Sequence, residues 1–285
     1  MHYIFFGSPR FAEIVLDKLI TNGFIPTALV CNPDRPVGRK KIITPPATKQ
    51  LVERLITIDK QSINVEILQP ETIDQSFLNR LRQLKADFFI VAAYAKILPK
   101  ELLDIPFRGV IGVHPSLLPK YRGSSPIQSV LLSGKEETGV SLYLMDEKMD
   151  HGPVLKTDNL EIKNQNYLEL EKDLAWLGGD MLVEMLPRFI RGEITPIPQN
   201  ESEATYTHKF NTEDALIDLG DLKIAESGDV DKTVKILGMI KAFNPEPGAY
   251  IILDGKRIKL LDAINEDGRL KLLKIQEEGK KPRAI

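Results

Sequence analysis

A chain of 285 residues exceeds a typical single domain and is long enough for two units with real cores. Apolar residues make up 42% and charged residues 27%, the proportions of a globular protein, and no apolar run approaches the length of a bilayer span. A net charge of −2 argues against a chain dominated by nucleic-acid electrostatics, and one cysteine, Cys31, with four scattered histidines suggests neither an internal disulfide nor a zinc site.

Met1 leads almost directly into a strand-like run with no basic segment before it, so no secretory signal is expected and a reducing cytoplasm fits. Tyr3–Phe6 is a compact apolar run that predicts a buried strand, turned by Gly7-Ser8-Pro9. Phe11, Ile14, Val15 and Leu19 then share one face at helical spacing, with Gly23 where a helix stop is expected. Residues 25–30 read as the next strand, which completes a βαβ unit. GxGxxG is absent after the first strand and GxxxxGK[ST] is absent throughout, which rejects nicotinamide binding and argues against nucleotide hydrolysis.

Residues 87–93 form a third strand and residues 97–103 a short helix. Residues 109–113 and 140–144 supply two more strands around a helix at 126–132, and residues 154–162 an added antiparallel strand. Leu170, Leu174, Leu177, Met181, Leu182, Met185 and Leu186 mark residues 167–190 as a covering helix. The polar segment 193–206 reads as a linker between domains 1–192 and 207–285. Beyond it come a helix near 231–242 and strands at 248–253, 257–263 and 270–275. Asp254-Gly255 and Asp267-Gly268 are hairpin signals between those strands. The fold expected is α/β: an open, mostly parallel Rossmann-like sheet with helices on both faces, followed by a small β-barrel, OB-like C-terminal domain.

Ligands gather at the carboxyl ends of strands in such a sheet. The 109–113 run stops at His114, and Pro115 prevents the strand from running on. Ser116, Leu117, Leu118 and Pro119 make a short, stiff loop suited to a flat ring, with Ser116 and main-chain groups for directional hydrogen bonds. A lone histidine at a strand end is most often a satisfied core group; this loop shifts His114 toward acid/base work. The 140–144 run stops among Asp146, Glu147, Lys148 and Asp150. These read either as a solvated turn or, through a bend at Gly152-Pro153, as a carboxylate aimed into the cleft to orient His114. Arg35, Arg39, Lys40 and Lys41 crowd one Gly/Pro-punctuated loop. Solvated surface is the usual meaning of such a run, but its place after a strand favours phosphate contacts. Lys256, Arg257 and Lys259, or Lys280, Lys281 and Arg283, read equally as phosphate contacts and as solvated faces.

FFGSPRFA, CNPDRPVGRKK, VAAYAKILPK, VHPSLLPKYRGSSPIQ, TGVSLYLMDEKMDHGPVL, TYTHKF and KAFNPEPGAY follow one another over nearly the full length. In that order they resemble the signatures of the methionyl-tRNA formyltransferase family, among the folate-dependent formyltransferases. The resemblance implies transfer of a formyl group from 10-formyltetrahydrofolate to the α-amine of methionine on initiator tRNA, for translation initiation, with no metal. His114 and Asp150 fall on the family's catalytic pair, Ser116, Leu117, Leu118 and Pro119 on its folate segment, and Ile97 and Leu98 on its folate-pocket turn. Arg39, flanked by Lys40 and Lys41, falls on the loop that wedges against the tRNA acceptor end. A monomer without DNA or membrane partners is expected.

Two departures stand out. Gly112 replaces the family's asparagine, whose amide would be an oxyanion donor, and loss of such a donor slows chemistry by roughly 10²–10³-fold. Activity is expected to persist through His114 and a replacement donor. The last domain is short and its charges nearly balance, so charge alone gives no broad grip on tRNA. The alternatives are an amino sugar nucleotide or glycinamide ribonucleotide acceptor, and a weakened homologue that binds folate or tRNA without turnover.

Overall fold

Tyr3–Phe6 (β1) is apolar at every position because it is buried on both faces, the situation of a central parallel strand. The computed structural model containing it describes residues 1–38, 40–58 and 63–285. After β1 come α1 (Arg10–Thr21) and β2 (Ala28–Val30), which lies parallel to β1. The second strand starts later than its apolar run because Pro26, within that run, lacks the N–H a ladder needs. A hairpin of β3 (Arg35–Val37) and β4 (Ile42–Thr44) precedes α2 (Ala47–Ile58), β5 (Glu66–Leu68) and α3 (Gln75–Gln83). The chain continues through β6 (Phe88–Ala92), α4 (Lys100–Leu103), β7 (Val110–His114) and β8 (Arg122–Gly123). Then follow α5 (Pro126–Leu132), β9 (Glu137–Leu144), β10 (Val154–Glu161) and α6 (Tyr167–Ile190).

Among the described residues, seven strands form one sheet in the order β10-β9-β7-β6-β1-β2-β5. Strands β5, β2, β1, β6 and β7 are parallel, while β9 is antiparallel to β7. Side chains alternate across the pleat, so each face has its own cover. Phe77, Leu78 and Leu81 of α3 and Leu102 and Leu103 of α4 pack with Ile4, Phe6, Phe89 and Val91. On the opposite face Phe88 stacks on Tyr3 and meets Phe189 of α6 edge-on. Each such buried aromatic contributes about 1.5–3 kcal/mol. The chain leaves β1 for β2 and β5 on one side, then returns to β6 on the other. That reversal opens a crevice at the carboxyl ends of β1 and β6. Gly7 sits at this point, and a Cβ there would lie 2.5 Å from the Ala12 methyl and 2.6 Å from the Ala92 carbonyl oxygen.

The chain divides into two compact units, one of Met1–Arg122, Gly139–Leu160 and Lys172–Ala204, the other of Gly123–Thr138, Glu161–Glu171 and Thr205–Ile285. Neither is continuous in sequence, whereas composition suggests two continuous domains, 1–192 and 207–285, joined by a linker at 193–206.

The second unit contains β11 (Tyr206–Thr207), α7 (Leu219–Ser227) and α8 (Val230–Phe243). Its antiparallel sheet runs β12 (Tyr250–Leu253), β13 (Lys256–Glu266), β14 (Arg269–Glu277) and β15 (Arg283–Ala284), in that spatial order. Both Asp-Gly turns have two left-handed residues, φ 48° and 72° at Asp254-Gly255 and φ 52° and 85° at Asp267-Gly268. A type I′ hairpin requires that pair. Ile236, Ile240, Phe243, Ile251, Leu260 and Leu270 form its core. No described helix is long and apolar enough to cross a membrane.

Candidate active site

His114 ends β7 with its side chain almost fully buried, 6% exposed. Its Nε2 lies 2.9 Å from the carbonyl oxygen of Tyr121. A carbonyl only accepts, so Nε2 carries the hydrogen and donates. Nδ1 is therefore the working nitrogen, and it faces Asp150 Oδ2 at 3.6 Å. At that distance the two groups are close enough for charge to act between them but too far apart for a direct hydrogen bond.

Asp150 reaches His114 by a route that the sequence does not disclose. His114 lies opposite Ser141 and Ile111 opposite Leu144, so β9 delivers the chain to the amino end of β7. The expectation of neighbouring carboxyl ends is corrected: the strands are antiparallel, and residues 145–153 double back. The Leu144 N–H donates to the Pro153 carbonyl at 2.9 Å, and Asp150 takes a left-handed φ of 48°. Gly152 permits the return by close approach, since a Cβ there would sit 1.8 Å from the Leu144 carbonyl oxygen.

A buried arginine fixes the loop from behind. Arg122 is wholly buried, and its Nη2 and Nε donate to Gln199 Oε1 at 2.8 and 3.1 Å. It also grips Glu201 with two prongs, at 2.6 and 3.0 Å. Gln199 Nε2 in turn donates to the carbonyls of Asp150 and Gly152, at 2.9 and 2.8 Å. His151 bridges Asp146 and Glu201 at 2.6 and 3.5 Å. Residues expected to be a plain linker thus hold the aspartate's backbone. Hydrogen bonds from Arg122 hold the Glu201 carboxyl below its ordinary range. With the folded value depressed, this pairing stabilises the fold above the unfolded value and fails only as pH falls through the lowered one. Arg122→Met is expected to destabilise the protein by about 1.5–3 kcal/mol, from loss of charged hydrogen bonds, and to lower turnover. Chemical denaturation and single-turnover rates check both.

The Ser116–Pro119 loop is pinned to β9. Ser141 Oγ donates to the Ser116 carbonyl at 2.7 Å and accepts from the Leu118 N–H at 2.9 Å. The Ser116 hydroxyl itself donates to the Lys120 carbonyl at 2.6 Å, so it closes the loop. Leu118 is buried, Leu117 and Pro119 are half-buried, and the Leu118-Pro119 bond is cis. In the turn after β6, Leu98 is buried while Ile97 is 88% exposed. Neither is helical, because α4 begins only after Pro99, which disfavours helix at the residue before it. Tyr94 in the same turn packs edge-on against Phe6, and among the described residues its buried hydroxyl finds no partner. Burial pushes that phenol up to about 12. A recess of about 350 Å³ borders the Asp146 loop, lined by Lys100, Leu103, Asp104, Met145 and Lys148 rather than by His114.

Lys40 and Lys41 lie exposed at the β3–β4 turn, with Lys41 at a positive φ of 49°. Arg35 is paired with Glu71, and Arg39 lies outside the described residues. At Gly112 there is no room for a side chain: a Cβ would sit 2.3 Å from the ring of Tyr143 directly across the ladder. Tyr143, Arg122, Gln199 and Glu201 were not foreseen from sequence. Their only signals are a Tyr within an apolar strand, an Arg-Gly after the Pro loop and polar residues after a Pro-x-Pro. Cys31 is buried, and its thiol is pushed up to about 12 by that burial, which leaves it unreactive.

Known proteins share both the sequence pattern and the architecture. The formyl transferase family model matches residues 1–186, and the formyl transferase C-terminal domain model matches residues 230–271. A methionyl-tRNA formyltransferase of Chloroflexus aurantiacus is 37% identical over 92% of this chain and 80% of its own. Among solved structures, a methionyl-tRNA formyltransferase from Clostridium thermocellum superposes with TM-score 0.60 at 16% identity, covering 97% of this chain and 98% of its own. An N-formyltransferase from Helicobacter canadensis, in complex with folinic acid and dTDP-3-aminofucose, gives 0.61 at 17% identity over 93% of this chain and 88% of its own. Those two likenesses bear on the fold. Sequence identity sustained over nearly the whole length shows the rest: the chain belongs to the formyl transferase family, in the company of the methionyl-tRNA formyltransferases.

Proposed function

We propose that the protein transfers a formyl group from 10-formyltetrahydrofolate to the α-amine of methionyl initiator tRNA, in the cytoplasm. The observation that carries this reading is the pairing of a buried imidazole, fixed by its Nε2–H to the Tyr121 carbonyl at 2.9 Å, with the Asp150 carboxylate 3.6 Å from Nδ1. A neutral α-amine placed beside the pair can direct an N–H at Nδ1 and keeps its lone pair for the formyl carbon. The imidazole, held through Nε2, removes a proton from the incoming amine as its nitrogen bonds to the formyl carbon. Nδ1–H then faces the oxygen on which negative charge develops and becomes a positioned donor. The same proton is available to the leaving nitrogen when its bond to the formyl carbon breaks. Asp150 balances the imidazolium throughout. The folate supplies the activated formyl carbon as a substrate. Leu117, Leu118 and Pro119, with Ile97, Leu98 and Tyr94, would hold its ring.

The basic hairpin is proposed to meet the acceptor end of the tRNA. Ala substitution of Arg39, Lys40 and Lys41 is expected to weaken tRNA binding and to reduce the slope of log K against log salt by roughly one for each phosphate no longer neutralised. Folate affinity should stay unchanged. Binding titrations at several salt concentrations decide this, and an unaltered slope assigns the turn to plain surface. The function itself is tested by incubating the protein with 10-formyltetrahydrofolate and charged initiator tRNA. Formylmethionine on the tRNA is expected. Product only on an amino sugar nucleotide, or binding without product, would overturn the proposal.

A further inference from the structure

Tyr143 is the buried polar group nearest the catalytic pair for which the mechanism above has no role. It lies on β9 directly opposite Gly112 and is only 3% exposed. Its hydroxyl donates to Asp150 Oδ1 at 2.7 Å, while the other carboxylate oxygen faces His114. Burial, then the charge of Asp150, raises the phenol well above its ordinary range, so it stays a donor at any working pH. The ring occupies space that any side chain at 112 would need: a Cβ there would fall 2.6 Å from Cζ and 2.9 Å from the hydroxyl. The ring cannot swing aside without giving up Asp150.

We propose that Tyr143 is a positioning residue for formyl transfer, acting through Asp150, and that Gly112 exists to admit its ring. The proposal rests on the formyl-transfer reading. An aspartate on a left-handed loop residue has a side chain free to rotate unless something holds it. Tyr143 ties down one oxygen, so the other points at Nδ1. The ring that carries this hydroxyl fills the space beside position 112, which is why only glycine fits there.

The test is Tyr143→Phe, which keeps the ring against Gly112 and removes only the hydroxyl. Loss of one hydrogen bond to a charged group predicts a fall in kcat of about tenfold to a hundredfold. KM for folate and tRNA should change little. Acting through Asp150, the substitution should cost nothing further in an Asp150→Asn background, whereas an independent packing role would be additive. In the free protein, imidazole ¹⁵N shifts of His114 should move in Tyr143→Phe while those of His2 and His208 stay. Wild-type kcat in Tyr143→Phe, or additivity with Asp150→Asn, or an unmoved His114 signal, each overturns the proposal. If wild-type protein formylates no tRNA, the acceptor reading fails instead, and the ¹⁵N measurement still decides the role of Tyr143.

Discussion

Replacing His114 with alanine is expected to lower single-turnover formylation by roughly 10²–10⁴-fold, the usual contribution of a positioned acid/base. The histidine is the group that can both take the amine's proton and return it. Its second nitrogen is occupied by the Tyr121 carbonyl, so no alternative ring orientation offers the same service. Stability should fall by about 1–3 kcal/mol, the cost of removing one partner of a buried hydrogen bond. The contrast is the point of the experiment: a protein that still folds with turnover almost abolished. Turnover within a few fold of wild type would remove His114 from the mechanism.

Gly152→Ala is expected to damage stability and turnover together. The added methyl would lie 1.8 Å from the Leu144 carbonyl oxygen, a backbone atom that cannot rotate out of the way. The 145–153 loop must lift, which breaks the Leu144 to Pro153 hydrogen bond and pulls the Asp150 and Gly152 carbonyls from Gln199. Overpacking of this kind costs about 1–3 kcal/mol, and an aspartate displaced by even 1 Å can cost about 10²-fold in rate. Thermal melts and single-turnover rates check the two halves. A variant of wild-type stability and rate would mean that the loop has slack the geometry does not show.

The parallel core was legible because strands buried on both faces are written as unbroken apolar runs, as at Tyr3–Phe6 and Phe88–Ala92. The hairpins of the second unit were legible because Asp-Gly is one of the few pairs that tolerates two left-handed residues. The reversal of β9 was not, since an apolar run carries no arrow. Helix α7 escaped notice although Asp218 caps its first turn and Gly228, at φ 110°, ends it. Its apolar residues are too few to make a stripe. His114 and Asp150 could be named because each terminates a readable strand. Arg122, Gln199 and Tyr143 could not, because each is defined by a hydrogen bond that only the folded chain brings together and by no local pattern.

Gln199 lies 49 residues beyond the carbonyl that it holds. It also lies past the 1–186 stretch matched as formyl transferase. A fragment trimmed to that stretch would keep both reacting side chains yet strip the guanidinium inside it of Gln199 and Glu201, leaving the aspartate's backbone unsupported. Anyone seeking to transplant, shorten or fuse this enzyme must carry the polar stretch after α6 along with it.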